Sequence, residues 1–158
     1  MSREDAYIML DLLQGVTNYG TGGRLRLRGG SYLNDIVTGF PYAFQNPIAG
    51  KTGTTQNNSD GWFMGAVPNL ITGVWSGCED RAAHFGSTYY GQGATVSLPS
   101  WALFMKKCYA DPQLNISREE FRKPEVPITV ELDCQAYQRK QNGSSPDSSA
   151  APTDQFDY

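Results

Sequence analysis

The chain has 158 residues, enough for about one domain, and a formal net charge of -3. That balance argues against a partner bound mainly through phosphates, so nucleic acid is excluded as the working partner. No apolar run reaches the roughly 18 to 20 residues of a membrane span, and Met1-Ser2-Arg3-Glu4-Asp5 lacks the regions of a signal peptide, so any anchor or export signal is expected outside this chain.

In chain order, Ser2 and Asp5 form a capping signal ahead of Ala6, Met9, Leu10, Leu13 and Val16, which predicts an amphipathic helix over about Arg3 to Gln14 that stops at Gly15. Arg24-Leu25-Arg26-Leu27-Arg28 alternates and reads as a short strand whose arginines form a solvated face or, as the second reading, a basic docking surface. Residues 31 to 47 read as irregular structure held by Tyr32, Phe40, Tyr42 and Phe44.

Three strands follow, Ile48 to Thr55, Trp62 to Val67 and Leu70 to Gly77, joined by polar turns into an antiparallel meander. The second and third show little alternation, which predicts helices covering both faces of the sheet. One cover is the helix from Pro99 through Trp101, Ala102, Phe104, Met105 and Cys108 to about Ala110. Asn115 to Glu120 is expected to make a helical turn and Ile128 to Leu132 a short strand. The composition from Gln138 onward predicts a disordered tail, giving a domain over 1–137 and a tail over 138–158.

Few residues could carry chemistry. Cys78, Cys108 and Cys134 show no C-x-x-C spacing and have only His84 as an imidazole companion, so neither a zinc site nor any cofactor is expected. His84 reads as a surface or packing residue, and Trp62, Trp75 and Trp101 read as core aromatics. Gly50-Lys51-Thr52 is not a phosphate loop, because Gln45 stands where that loop needs glycine and strand leads into strand.

On a strand edge the same residues suit a carboxylate-ended peptide. Lys51 supplies an ammonium, Thr52 and Thr54 supply hydroxyls on one face, and Gly53 leaves room for a substrate backbone that adds as a strand.

Ala49-Gly50-Lys51-Thr52-Gly53-Thr54-Thr55, the Asn57 to Gly65 turn and strand, and Pro68 to Trp75 together resemble the transpeptidase domain of class A penicillin-binding proteins. The resemblance extends back to Gly20-Thr21-Gly22 and forward through Glu79-Asp80 and Gly91-Gln92-Gly93-Ala94-Thr95 to the Trp101 helix, covering most of residues 1 to 110. It implies an α/β (α+β) fold, an antiparallel sheet covered by helices, as the C-terminal portion of the penicillin-binding protein and serine β-lactamase-like transpeptidase fold.

The activity implied is acyl transfer through a serine, with peptidoglycan stem peptides ending in D-Ala-D-Ala as substrate and β-lactams as trapping mimics. By the same resemblance Lys51 and Thr54 have catalytic roles, Lys51 through its positive potential and Thr54 through its backbone N–H as one oxyanion donor. Lys51, Thr52, Gly53 and Thr54 form the substrate wall.

The family also needs Ser-x-x-Lys and Ser-x-Asn motifs, and no serine of this sequence begins either one; Ser31 has Asn34 at three positions instead of two. The chain is therefore expected to be a fragment without the nucleophile, inactive by itself and not acylated by penicillin. Its parent would lie on the periplasmic side of the bacterial inner membrane with an anchor and a glycosyltransferase domain.

Without the N-terminal part of the transpeptidase domain, the Leu70 to Gly77 strand would keep an unpaired edge, from which self-association is expected. The oxidising compartment makes Cys108 and Cys134 a candidate disulfide. Two rival functions stay open: a carboxypeptidase or β-lactamase-like hydrolase, and a non-catalytic module that binds stem peptides or a partner.

Overall fold

A computed structural model describes residues 1–26 and 42–142, the side chains of the last two excepted. The chain divides into two units, Met1–Glu125 and Val126–Tyr158.

The first unit opens with α1, Arg3–Asn18, whose start is a capping box: Ser2 Oγ accepts from the Asp5 N–H at 3.0 Å and the Asp5 carboxylate accepts from the Ser2 N–H at 2.9 Å. The Ser2 backbone N–H first, and the Ser2 side chain second, hold the Asp5 carboxyl below its usual range. The helix does not stop at Gly15. An interior glycine costs only about 1 kcal/mol relative to alanine, and the extra turn carries Thr17 into a buried bond from its hydroxyl to Ile48 O at 2.5 Å.

Gly23–Leu25 forms a short 3-10 helix, not a strand, and its arginines are structural. Arg24 Nη1 donates to Ala94 O at 3.2 Å and to Thr95 Oγ1 at 3.1 Å. Arg26 Nη1 donates to Asn46 O at 2.6 Å and to Phe44 O at 3.3 Å. Burial pulls both guanidinium groups below their ordinary range. Neither the solvated face nor the docking surface describes these two residues, because Leu25 between them is fully buried and draws both stems inward. Leu27, Arg28 and the irregular stretch up to residue 41 lie outside the described residues.

The sheet consists of β1, Ala49–Thr54, β2, Asp60–Val67, and β3, Leu70–Gly77, antiparallel and in the order β1-β2-β3. Lys51 lies opposite Met64, and Trp62 opposite Trp75. The β1–β2 turn uses Asn57 and Asn58 at φ of 65° and 54°, a left-handed region that asparagine tolerates better than most side chains.

One face of the sheet carries Phe63 and Val67, with glycines where helices approach closely. A methyl group at Gly50 would meet Thr17 of α1 at 3.0 Å, and one at Gly65 would sit 2.3 Å from the Trp101 ring. Trp101 belongs to α4, Leu98–Ala110, which has Pro99 in its first turn as the sequence suggests. The short helices α2, Thr88–Gly91, and α3, Gly93–Val96, precede it and were not anticipated.

The opposite face carries Trp62, Met64, Ile71 and Trp75. Trp62 and Trp75 are 44% and 45% exposed, so the expected burial of both faces, and of these two rings, fails. The apparently uniform apolar runs hide a strict alternation, because the glycines between the large side chains mask it.

The core closes around Trp101, Phe63, Leu98, Met105, Ile48 and Leu25. Trp101 meets Phe63 edge-on at 5.2 Å between centroids and Phe44 at 6.2 Å. All three cysteines are free thiols, including the candidate pair Cys108 and Cys134, and Cys108 is buried on the core side of α4.

Tyr42, also in the core, offers a pH test. Burial pushes its phenol up to about 12, against a smaller pull downward from Arg24. The unfolded chain releases that proton near pH 10 and the folded chain later, so the contribution is whole below about pH 10 and is lost as pH rises toward 12. Urea midpoints should fall across that window, and Tyr42→Phe should flatten the fall. Parallel curves for the two proteins would contradict this role.

Past α4, Pro112–Leu114 makes a 3-10 turn, while Asn115 to Glu120 forms none, since Asn115 turns left-handed and ends it. In the second unit Ile128 to Leu132 is not a strand, there being no partner ladder for it among the described strands. Instead Glu131 pairs with Lys140 at 2.5 Å along α5, Cys134–Asn142, whose first turn is capped by Asp133 Oδ1 accepting from the Gln135 N–H at 2.8 Å. This helix runs to Asn142, into the stretch expected as tail; residues 143–158 lie outside the described residues.

Candidate functional site

Lys51, Thr52, Gly53 and Thr54 lie extended on β1 at the margin of the sheet, with β2 on one side and no described strand on the other. The Thr55 N–H donates to Asp60 O at 3.0 Å and so points toward β2. Antiparallel ladders alternate, so Gly53 and Lys51 also pair inward, while the N–H and C=O groups of Thr52 and Thr54 point away from the sheet. In agreement, Thr52 O is reached by a side chain: Lys51 Nζ donates to it at 2.7 Å.

The two threonine side chains project toward the helix-covered face, each with one partner among the described residues. Thr52 Oγ1 lies 2.8 Å from Thr21 Oγ1 in the turn after α1. Thr54 Oγ1 accepts from the Gly93 N–H, at the start of α3, at 3.1 Å. A hydroxyl that accepts an amide hydrogen keeps its own hydrogen for another acceptor, so Thr54 stays a donor to an incoming ligand. Lys51 lies on the other face, next to Met64. A methyl group on Gly53 would approach Trp62 Cβ at 3.1 Å, so its absence serves packing against Trp62 as well as access.

The turn beyond Thr54 is held by Asp60. Its carboxylate accepts from Thr55 Oγ1 at 3.1 Å and Trp75 Nε1 at 3.2 Å, and pairs with Arg81 at 3.1 Å.

Thr21, Gly93 and Asp60 received no role from sequence reasoning. Thr21 and Gly93 stood within the quoted text of the resemblance, but their partners lie 31 and 39 residues away in the chain. His84 is exposed, its Nδ1 3.2 Å from Phe85 O. Among the described residues no group of three or more metal-ligating side chains gathers, and no helix is long and apolar enough to cross a membrane.

No family model matches the chain. Penicillin-binding protein 1A of Neisseria lactamica is 36% identical over 102 residues, which is 65% of this chain and 10% of that protein. The chain is homologous to penicillin-binding protein 1A. The protein of that name from Pseudomonas aeruginosa is 36% identical over 115 residues, 72% of this chain and 12% of the relative, and that from Neisseria gonorrhoeae is 35% identical over 102 residues. The chain thus spans about a tenth of the length of the curated penicillin-binding protein 1A relatives it matches. The α/β arrangement of an antiparallel sheet with packed helices agrees with that relationship at the level of fold.

Proposed function

We propose that this chain contributes the carboxylate-gripping wall of a peptidoglycan D,D-transpeptidase site, with Lys51, Thr52, Gly53 and Thr54 as the wall. The observation that carries the reading is the open margin of β1, where the backbone of Thr52 and Thr54 faces away from β2 beside the Lys51 ammonium. An extended peptide ending in D-Ala-D-Ala would add along that margin by main-chain bonds. Its terminal carboxylate would meet the Lys51 charge and the threonine hydroxyls. The Thr54 N–H would be one of two donors to the oxyanion that forms when a serine attacks the penultimate carbonyl.

In this reading the attacking serine and the second donor come from outside the sequence, in which no serine heads a Ser-x-x-Lys motif. The whole enzyme forms an acyl-serine, releases D-alanine and passes the acyl group to a neighbouring amine, on the outer side of the bacterial inner membrane. The chain alone binds the peptide without turning it over.

The test is an amide-resolved NMR titration with an N-acyl-D-Ala-D-Ala peptide. Shifts are expected at Thr52, Gly53 and Thr54, and weakening of about tenfold or more on Lys51→Ala, the scale of a hydrogen bond to a charged group. Absence of shifts at these residues into the millimolar range would overturn the reading.

A further inference from the structure

We propose that Thr21 is a positioning residue for this site: its hydroxyl sets that of Thr52 as an outward donor to the carboxylate of a bound peptide. The inference rests on the reading of Lys51 to Thr54 given above.

Thr21 is placed by the way α1 ends. The Gly20 N–H donates to Gly15 O at 3.1 Å, the Gly22 N–H to Val16 O at 2.8 Å and the Gly23 N–H to Gly20 O at 2.9 Å, so the backbone on both sides of Thr21 is tied down. One turn earlier, the buried Thr17 hydroxyl donates to Ile48 O. Thr17 and Ile48 are 31 residues apart, and so are Thr21 and Thr52. The end of α1 and β1 therefore run in step, anchored at a buried hydroxyl contact and meeting again, four residues on, at an exposed one.

The two contacts do different work. The Thr17 bond is inside the fold, where losing it would leave Ile48 O without that donor. The Thr21–Thr52 contact faces solvent, where water offers either hydroxyl an equivalent partner, so stability gives little reason for it. Its effect is directional. One hydrogen lies between the two oxygens. If Thr52 donates it, lone pairs of Thr52 face the margin and repel a carboxylate. If Thr21 donates it, the hydrogen of Thr52 is turned outward, toward the place where the peptide end arrives. A carboxylate selects the second arrangement, and Thr21 is already in place to provide it. The Gly93 N–H does the same for Thr54 from the other side, so two neighbouring hydroxyls are both turned into donors at a site that receives an anion.

The experiment compares wild type, Thr21→Val, Thr21→Ser and Thr21→Ala in NMR titrations with N-acyl-D-Ala-D-Ala and with the same peptide ending in a carboxamide, alongside thermal unfolding. Thr21→Val should bind the carboxylate peptide a few-fold more weakly, because the Thr52 hydroxyl remains but is no longer held as an outward donor. Its preference for carboxylate over carboxamide should fall by a similar factor, with its unfolding midpoint unchanged. Thr21→Ser should retain both affinity and preference. Thr21→Ala should behave as the valine variant does, and it decides the question if valine perturbs the fold.

Carboxylate preference equal to wild type in the valine and alanine variants, or lost equally in the serine variant, would overturn the role of Thr21 and leave the site standing. A wild-type chain that does not distinguish the two peptides would remove the site reading, and this inference with it.

Discussion

Replacing Trp101 by alanine is expected to lower the stability of the first unit by about 3–5 kcal/mol, the usual cost of emptying a fully buried aromatic site. That is a large part of the roughly 5–15 kcal/mol that holds a domain together. The ring has no exposed surface, faces Phe63 and Phe44 edge-on, and lies where the missing side chain of Gly65 makes room for it. One effect opposes the loss: Trp101 Nε1 is buried with no partner among the described residues, and removing an orphan donor returns up to about 1–3 kcal/mol. The cavity term is the larger, so the net sign is destabilising. Trp101→Phe separates the two, because it drops the orphan N–H and keeps most of the ring. Urea unfolding followed by circular dichroism should rank alanine far below phenylalanine. Equal midpoints for alanine and wild type would mean that α4 does not hold the sheet.

Gly93→Ala is expected to be the most damaging single-methyl change near the site. The added carbon would lie 2.3 Å from Trp62 O and 2.4 Å from Gly53 O. Both are main-chain oxygens in the ladder and cannot swing aside, so the start of α3 must lift off β1 and β2. Overpacking of this kind costs about 1–3 kcal/mol, sometimes more. It also pulls the Gly93 N–H away from Thr54 Oγ1, so peptide affinity should fall together with the melting temperature. Gly86 is the control, since an added carbon there meets nothing within 4 Å. Gly86→Ala should leave both measurements unchanged. If Gly93→Ala melts and binds as wild type does, α3 is not seated on the β1–β2 ladder in solution.

The meander was legible because each strand is bounded by turn residues: Asn57-Asn58 before β2 and Pro68-Asn69 before β3. The start of α1 was legible for a local reason too, since Ser2 and Asp5 satisfy each other's backbone. Errors arose where a distant partner decides. Gly15 looks like a stop until Thr17 finds Ile48, and Arg24 and Arg26 look solvated until their acceptors at Ala94 and Asn46 are known. Trp62, Trp75 and Trp101 are alike to a composition-based reading, yet strand parity leaves the first two outward and helix packing buries the third. At the candidate site the residues along β1 could be read from spacing, whereas Thr21 and Gly93 could not, because hydroxyl and amide partners so far along the chain leave no local pattern.

The unequal placement of the three indoles also makes the chain its own optical probe. Trp101 is shielded and should emit at shorter wavelength and resist acrylamide, while Trp62 and Trp75, opposite one another and partly exposed, should emit to the red and be readily quenched. Covering those two rings would change only the quenchable component. Melting the interior would merge the two components.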